Sequence, residues 1–406
     1  MTNWTETLWT LAQRRRLALP PPNHPEPLAA LDYDAELALK REAIAAFWRA
    51  AELPGAPDPV VAARAPRAYR TTTKRRADFR GSDLRLVFPG APPSRVDSVA
   101  PSVLDLPEHA AVYAFLVDRL RRPPARPLAA ALNWAIVRGS APALAVILNL
   151  RRFDAPAVRA AKSLAQAIES ESALGVRSAF LYLDPSSSDY YLEARRPGPG
   201  ILSFKRLFGP DWLEVDVDGT RLRFPPAVFS QGNAAMLPVM VETSRALLAP
   251  VEGRSLLDLY CGYGLFSLTA GRDAAHVVGA DFDRAAIEAA RSNAEHLKMA
   301  GRMRFVAARI DGAFVADRLR PHAGVTGDAE EIVLLDPPRQ GTAPGVVPAI
   351  AERGPARVAH VCCGTDEIPR ESAAWSRAGY RLRRAVPLDL FPGTAGLETF
   401  LLFEPE

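Results

Sequence analysis

Apolar residues recur at helical spacing over residues 32–53, where Tyr33, Leu37, Ile44, Trp48 and Ala51 share one face and Pro54 ends the run. A proline-rich connector, PPPNHPEPL at 20–28, precedes it. The stretch 69–89 alternates apolar and polar positions and predicts two strands around a turn at Arg80-Gly81-Ser82-Asp83. From 98 to about 222, helical patterns (108–121, 155–173) alternate with the strand-like runs ALNWAIVRG, LAVILNL, SAFLYLD and WLEVDVDGTRLRF. This pattern predicts an α+β region with an antiparallel sheet. Beyond Pro225-Pro226, a helix over 234–249 leads into apolar strands at 254–260, 276–281, 303–307, 331–336 and 357–361, with a closing pair at 380–388 and 397–403. Strands alternating with helices predict the α/β class: a doubly wound, Rossmann-like parallel sheet with helices on both faces and an antiparallel edge. Three regions are therefore expected: 1–97, a helix and a basic β-ribbon; 98–222, a central α+β domain; and 223–406, the doubly wound domain.

Composition narrows the class. Of 406 residues, 48% are hydrophobic and 24% charged, as in a soluble globular protein, and the length allows two or three domains. The net charge of +4 is compatible with a nucleic-acid partner without requiring one. Six basic residues, Arg67, Arg70, Lys74, Arg75, Arg76 and Arg80, crowd the predicted ribbon. They read equally as a guarded edge strand or as a phosphate-contacting surface. The three cysteines, Cys261, Cys362 and Cys363, form no CxxC pair. An odd count with two adjacent thiols argues against a disulfide framework and for a reducing, cytoplasmic compartment. No metal site and no iron–sulfur cluster is expected. No apolar run reaches the length of about 18 residues needed to span a membrane, and the N-terminal basic residues follow the apolar ones, the wrong order for a signal peptide.

The main chemical signal is SLLDLYCGYGLFSLTAG (255–271), an apolar strand ending in Asp258 and turning through Gly262-x-Gly264 into a helix. Glycines allow a sharp turn and close approach of a ligand at the carboxyl end of the strand. The turn lacks the GK[ST] of a triphosphate loop, and Ser267 occupies the third glycine position of a dinucleotide fingerprint. About 20 residues on, HVVGAD ends in Asp281, an acid placed to bind a ribose diol. LLDPPRQG (334–341) ends a fourth strand in Asp336. Three polar strand ends build one crevice for S-adenosylmethionine. NAD is the competing ligand at Asp281, but a dehydrogenase has no evident use for the DPP loop.

VAHVCCGTDEIPRE (358–371) puts Cys362 and Cys363 just past another strand end. Adjacent residues on a strand alternate in facing, so one thiol can face the crevice while the other is an inert core residue. Such a thiol has a chemical use. Carbon 5 of a pyrimidine becomes nucleophilic when a thiolate adds to carbon 6, and a general base must later remove the carbon-5 proton. Glu398 stands on the final loop-to-strand segment, LFPGTAGLETF (390–400), where by itself it reads as an ordinary surface glutamate.

These motifs, in this order, resemble the RNA uracil-5-methyltransferase family, whose members modify uridines in tRNA and ribosomal RNA. The resemblance is closest over 224–403 and looser between 91 and 200. It implies that Gln231 of FPPAVFSQGN, Tyr260 and Gly262 of the glycine loop, Asp281 and Asp336 hold S-adenosylmethionine. It also implies that Cys363 is the nucleophile and Glu398 the general base, with Arg370 and Glu371 matching an arginine–acid pair. Upstream, AYRTTTKRRADF resembles an early ribbon that precedes an RNA-facing domain. Arg70, Lys74, Arg75 and Arg76, with Arg339 of the DPPR loop, are the expected substrate contacts.

The chain also departs from the family pattern. Gly364-Thr365 replaces asparagine–proline after the nucleophile, Cys362 replaces the preceding serine, Leu265 replaces a polar cofactor contact of some members, and TAGLE lacks a histidine often found there. The N-terminal extension looks too short for the β-barrel module some relatives carry. The expected protein is a monomeric, cytoplasmic enzyme that methylates carbon 5 of a uridine in structured RNA, tRNA or rRNA. The alternatives are an RNA cytosine-5 methyltransferase and a catalytically weakened RNA-binding paralogue. Against cytosine, the DPPR loop holds no cysteine; against amino-group methylation, it carries Arg339 where an aromatic residue would stack on the base.

Overall fold

The computed structural model describes residues 3–80, 83–88, 98–184, 204–317 and 330–406, so the centre of the expected turn, Gly81-Ser82, lies outside the described residues. The chain forms two compact units in place of three consecutive regions. One comprises Met1–Pro66, Asp216–Leu222 and Ala235–Glu406; the other comprises Arg67–Val215 and Arg223–Ala234.

The second unit joins the basic ribbon and the central region in one sheet. Its strands are β1 (Thr72–Arg80), β2 (Asp83–Val87), β3 (Leu132–Arg138), β4 (Leu144–Leu150), β5 (Val176–Leu183) and β6 (Phe204–Phe208), in the order β2-β1-β3-β4-β5-β6. The sheet is not wholly antiparallel, because β4 and β5 run parallel. Helix Ala155–Ser170 carries the chain between them, and a parallel neighbour requires such a crossover. Asp154 starts that helix by accepting the Ala157 N–H at 2.8 Å. Val112 and Leu116 of helix Pro107–Leu120, with Leu164 and Ile168, bury the sheet's Val137, Val146 and Leu148. Strands β7 (Leu213–Val217) and β8 (Thr220–Phe224) form a separate two-stranded sheet.

The first unit has seven strands: β9 (Ser255–Leu259), β10 (His276–Asp281), β11 (Met303–Ala307), β12 (Glu331–Leu335), β13 (Arg357–Cys362), β14 (Tyr380–Leu388) and β15 (Glu398–Pro405). Their order is β11-β10-β9-β12-β13-β15-β14, parallel throughout except for β15, which is antiparallel to both β13 and β14. This is the expected doubly wound sheet with its antiparallel edge. The winding reverses between β9 and β12, which makes the crevice outside their carboxyl ends the switch point where ligands bind. Because β15 runs the other way, its first residue, Glu398, lies on that same edge.

The N-terminal helices Trp4–Arg14 and Tyr33–Ala50 belong to this unit. Leu8, Leu11, Phe47 and Trp48 join Leu257, Leu259, Val333, Leu335 and Val358 in one core. That apolar burial is why these helices sit with a sheet over 200 residues away in sequence and not with the adjacent ribbon. Among the described residues, no helix is long and apolar enough to cross a membrane.

Candidate active site

The glycine turn after β9 is shaped by three residues in the left-handed region: Tyr260 (φ 62°), Gly262 (φ 54°) and Gly264 (φ 87°). A side chain at Gly264 would meet Leu268 Cδ1 at 2.8 Å and Ala290 Cβ at 3.3 Å, so the helix packs closely there. A Cβ at Gly262 would meet nothing within 4 Å, which leaves space for a ligand against its backbone. The Gly262 N–H donates to Asp281 Oδ2 and the Asp283 N–H to Asp281 Oδ1, both at 2.9 Å. These bonds fix the Asp281 carboxylate at the end of β10. Ser267, at the third glycine position, donates its hydroxyl to the buried Asp258 Oδ2 at 2.5 Å. The serine therefore has a use that a glycine could not fill.

Phe282 follows Asp281 and is 55% exposed, an uncommon setting for a phenylalanine and one the sequence reading missed. The available signal was an aromatic residue directly after the acid that ends β10.

Asp336 directly follows β12, with its N–H bonded to Leu259 O of β9 at 3.2 Å, so the DPPR loop starts beside the glycine turn. Glu371 anchors the far end of that loop. Its Oε1 accepts the Thr342 N–H at 3.1 Å and Arg370 Nη2 at 2.7 Å, and its Oε2 accepts the Thr342 hydroxyl at 2.7 Å. A Cβ at Gly341 (φ 73°) would fall 2.0 Å from Arg370 Nη2 and 2.2 Å from Glu371 Oε1, so a larger residue there would strain the backbone and displace this pair.

The two thiols separate as strand alternation requires. Cys362 is 3% exposed and packs in the hydrophobic core, whereas Cys363 is partly exposed, with its Sγ 3.9 Å from Pro337 O of the DPPR loop. The ladder pairs Cys362 with Thr399, so the next step brings Cys363 opposite Glu398. Side chains opposite one another across an antiparallel pair share a face, with Cβ atoms about 5 Å apart. Glu398 is 2% exposed and its Oε2 has no hydrogen-bond partner. Beneath the thiols, His360 accepts the Trp375 Nε1–H at 3.0 Å, and burial lowers its pKa to about 4, so it stays neutral.

Electrostatically the crevice is acidic. Burial raises Asp258 and Asp336 to about 7; Asp281 adds to the rise at both, and Asp258 adds to it at Asp336. Burial also holds Glu398 well above the usual carboxylate range, with Asp336 adding and Arg339 opposing. The Cys363 thiol is pushed up to about 12, first by burial and then by Glu398 and Asp336, while Arg339 pulls it down. Arg339 itself is exposed.

Tyr260, Gly262, Asp281, Asp336, Arg339, Cys363 and Glu398 thus meet at one sheet edge of the first unit. Gln231 and the basic ribbon belong to the second unit. There Gln231 is buried, and its backbone carbonyl accepts the Thr71 hydroxyl at 3.5 Å. On β1, Lys74 and Arg76 face one side and Thr73, Arg75 and Ala77 the buried side. Lys74 Nζ lies 4.9 Å from the Trp134 ring centroid. Arg70, just before β1, is partly buried, with its N–H on Leu104 O at 2.9 Å.

The expectation that Arg75 contacts RNA is corrected. Its side chain is 2% exposed, pairs with Asp105 Oδ2 at 2.5 Å, donates to Ala100 O at 3.1 Å and lies over the Phe88 ring. A guanidinium so enclosed has no face left for phosphate.

Several known proteins are similar to this chain. The chain matches the tRNA (Uracil-5-)-methyltransferase family over residues 200–405. It is 39% identical over 188 residues to the 23S rRNA (uracil(1939)-C(5))-methyltransferase RlmD of Pseudomonas entomophila, covering 46% of this chain and 39% of that protein. It is 40% identical over 189 residues to the enzyme of the same name from Alkalilimnicola ehrlichii, covering 46% and 41%. The match thus spans about two-fifths of the length of these curated relatives. The structure of the Pyrococcus abyssi tRNA (uracil-54, C5)-methyltransferase, in complex with S-adenosyl-L-homocysteine, superposes with a TM-score of 0.67 at 20% identity, over 94% of this chain and 86% of that one. That likeness establishes a shared fold. With its glycine turn, DPPR loop and thiol on one sheet edge, and a family match over half its length, the chain belongs to the tRNA (uracil-5-)-methyltransferase family.

Proposed function

We propose that this protein transfers a methyl group from S-adenosylmethionine to carbon 5 of a uridine in structured RNA, a tRNA or an rRNA. The observation that carries the reading is the register that sets Cys363 opposite Glu398 beside the DPPR loop. The acidic crevice favours this cofactor over NAD. Asp281 raises both Asp258 and Asp336, so the crevice concentrates negative charge that suits a cationic sulfonium, whereas a dinucleotide would bring an anionic pyrophosphate among these carboxyls. When bound, S-adenosylmethionine supplies an electrophilic methyl group. Asp281 would hold the ribose diol, Phe282 would flank the adenine, and Gly262 would allow close approach, with Tyr260 and Asp336 completing the site.

The Cys363 thiolate adds to carbon 6 of the uracil, and the displaced electron pair makes carbon 5 nucleophilic. Once carbon 5 carries the methyl group, Glu398 removes its proton, the carbon–sulfur bond breaks and the thiolate returns. A carboxylate whose pKa is held above the ordinary range is the stronger base for that step. Arg339 stabilises the anionic forms of both groups.

Cys362, packed in the core, speaks against the cytosine alternative, which would give the second thiol a role. The weakened-paralogue reading draws on Gly364-Thr365. Even so, Gly364 is extended (φ −119°, ψ 114°) and Thr365 starts an ordered turn, so the segment still delivers Cys363 to the edge. Of the basic residues, Arg70, Lys74 and Arg76 remain proposed phosphate contacts, with Arg339 at the target base. Nucleophile and base come from one chain, which suits a monomer, and a free thiol nucleophile suits the reducing cytoplasm. Incubating the protein with labelled S-adenosylmethionine and bulk tRNA or rRNA, then digesting to nucleosides, tests the reading. Label in 5-methyluridine is expected; label in 5-methylcytidine or in no nucleoside opposes it.

A further inference from the structure

The loop Asp389–Leu397 delivers Glu398 to the crevice, so something must hold that loop still. The contacts come from the N-terminal helices and the segments flanking them. Lys40 lies between Glu36 and Asp389, with Nζ 2.8 Å from Glu36 Oε1 and 2.8 Å from Asp389 Oδ1, and all three side chains are fully buried. Glu36 Oε1 also accepts the Gly393 N–H at 2.6 Å, and Gly393 O accepts the Leu28 N–H at 3.0 Å. Asp389 Oδ2 accepts the Tyr33 hydroxyl at 3.1 Å, while the Asp389 N–H donates to Val61 O at 3.0 Å. Further along, Trp4 Nε1 donates to Ala395 O at 2.8 Å, and the Trp4 backbone N–H donates to Asp366 Oδ1 at 2.7 Å. The N-terminal segment therefore grips the base-bearing loop at three points and the turn after Cys363 at a fourth.

Burying a lysine and two carboxylates carries a desolvation penalty that well-packed apolar residues of similar volume would avoid. Packing alone would not call for a charged cluster here. What the cluster adds is direction: a lysine ammonium held by two carboxylates fixes Asp389 and Gly393 relative to helix Tyr33–Ala50. Glu398 has one oxygen without a partner, so its carboxyl depends on the backbone that carries it.

We infer that Lys40, together with Glu36, is a positioning residue that sets the general base through the Asp389–Leu397 loop. The inference rests on the reading of Glu398 as the base. A misplaced base slows removal of the carbon-5 proton, so methylated RNA stays attached to Cys363. Displacement of a reacting group by about 1 Å can cost about 100-fold in rate.

Asp389→Asn, Lys40→Met and Lys40→Arg should be compared with Glu398→Gln in the full chain, using unmodified uridine RNA. The readouts are turnover, S-adenosylmethionine affinity and denaturation-resistant protein–RNA adduct. Folded Asp389→Asn and Lys40→Met should lose roughly 10- to 100-fold in kcat with cofactor affinity kept, and should accumulate the adduct as Glu398→Gln does. Lys40→Arg, which keeps the charge, should recover part of the rate. If Glu398→Gln accumulates adduct while a folded Asp389→Asn turns over normally, or loses rate without adduct, the positioning role is overturned and the base survives. If Glu398→Gln itself turns over normally, the reading of the base fails first. Should Lys40→Met not fold, Asp389→Asn decides alone.

Discussion

Cys363 and Glu398 stand opposite one another, one step past the last paired rung of β13 and β15. The two residues are 35 positions apart in sequence, and an antiparallel return strand is what brings them together. A parallel β15 would have put Glu398 at the far end of the sheet. Replacing Glu398 by Gln keeps the shape and removes the base. Turnover is expected to fall about 10²- to 10⁴-fold, the usual weight of general acid–base catalysis, with cofactor affinity within about threefold of wild type. Single-turnover kinetics and titration calorimetry measure both; a rate within a few-fold of wild type would move the base elsewhere.

The thiol should be sluggish in the free protein. With Cys363 pushed up to about 12, the thiolate fraction below that pH rises about tenfold per pH unit. Alkylation of Cys363 by iodoacetamide, followed by mass spectrometry, should therefore climb without a plateau between about pH 7 and 9. Arg339→Ala should slow it further, because the guanidinium favours the thiolate. A plateau below about pH 9 would show a thiol already activated at rest.

Arg75 and Arg76 are adjacent arginines with opposite expected behaviour. Arg75→Ala strands the buried Asp105 carboxylate, and breaking such a pair costs about 3–5 kcal/mol. Arg76→Ala, on the partly exposed face of β1, should cost less stability than Arg75→Ala and weaken RNA binding, with a shallower dependence on salt. Chemical denaturation and binding at several salt concentrations separate the two. Equal loss of stability would show that Arg76 is as structurally committed as Arg75.

Much of the first unit was legible because its signals are local. Each strand is a short apolar run, and Asp258, Asp281 and Asp336 announce the carboxyl edge by ending such runs. Facing was less legible. Period-two alternation says that Cys362 differs from Cys363, and Arg75 from Arg76, but the buried member is set by what packs from outside the strand. The resemblance selected Cys363, whereas no comparable motif flagged Arg75. The parallel β4–β5 pair escaped for a related reason, since strand direction depends on where a crossover helix returns the chain. The Lys40–Asp389 pair joins residues 349 positions apart, and no pattern within the helix points to its partner.

The central claim is that Cys363 attacks carbon 6 of a uridine. RNA containing 5-fluorouridine tests it most directly, because fluorine cannot leave carbon 5 as a proton does and the adduct cannot resolve. With S-adenosylmethionine present, the wild-type protein should form a denaturation-resistant RNA adduct that peptide mapping places on Cys363. Cys363→Ala should abolish it and Cys362→Ala should retain it. An adduct that survives Cys363→Ala, or none from protein that binds both cofactor and RNA, would contradict the mechanism.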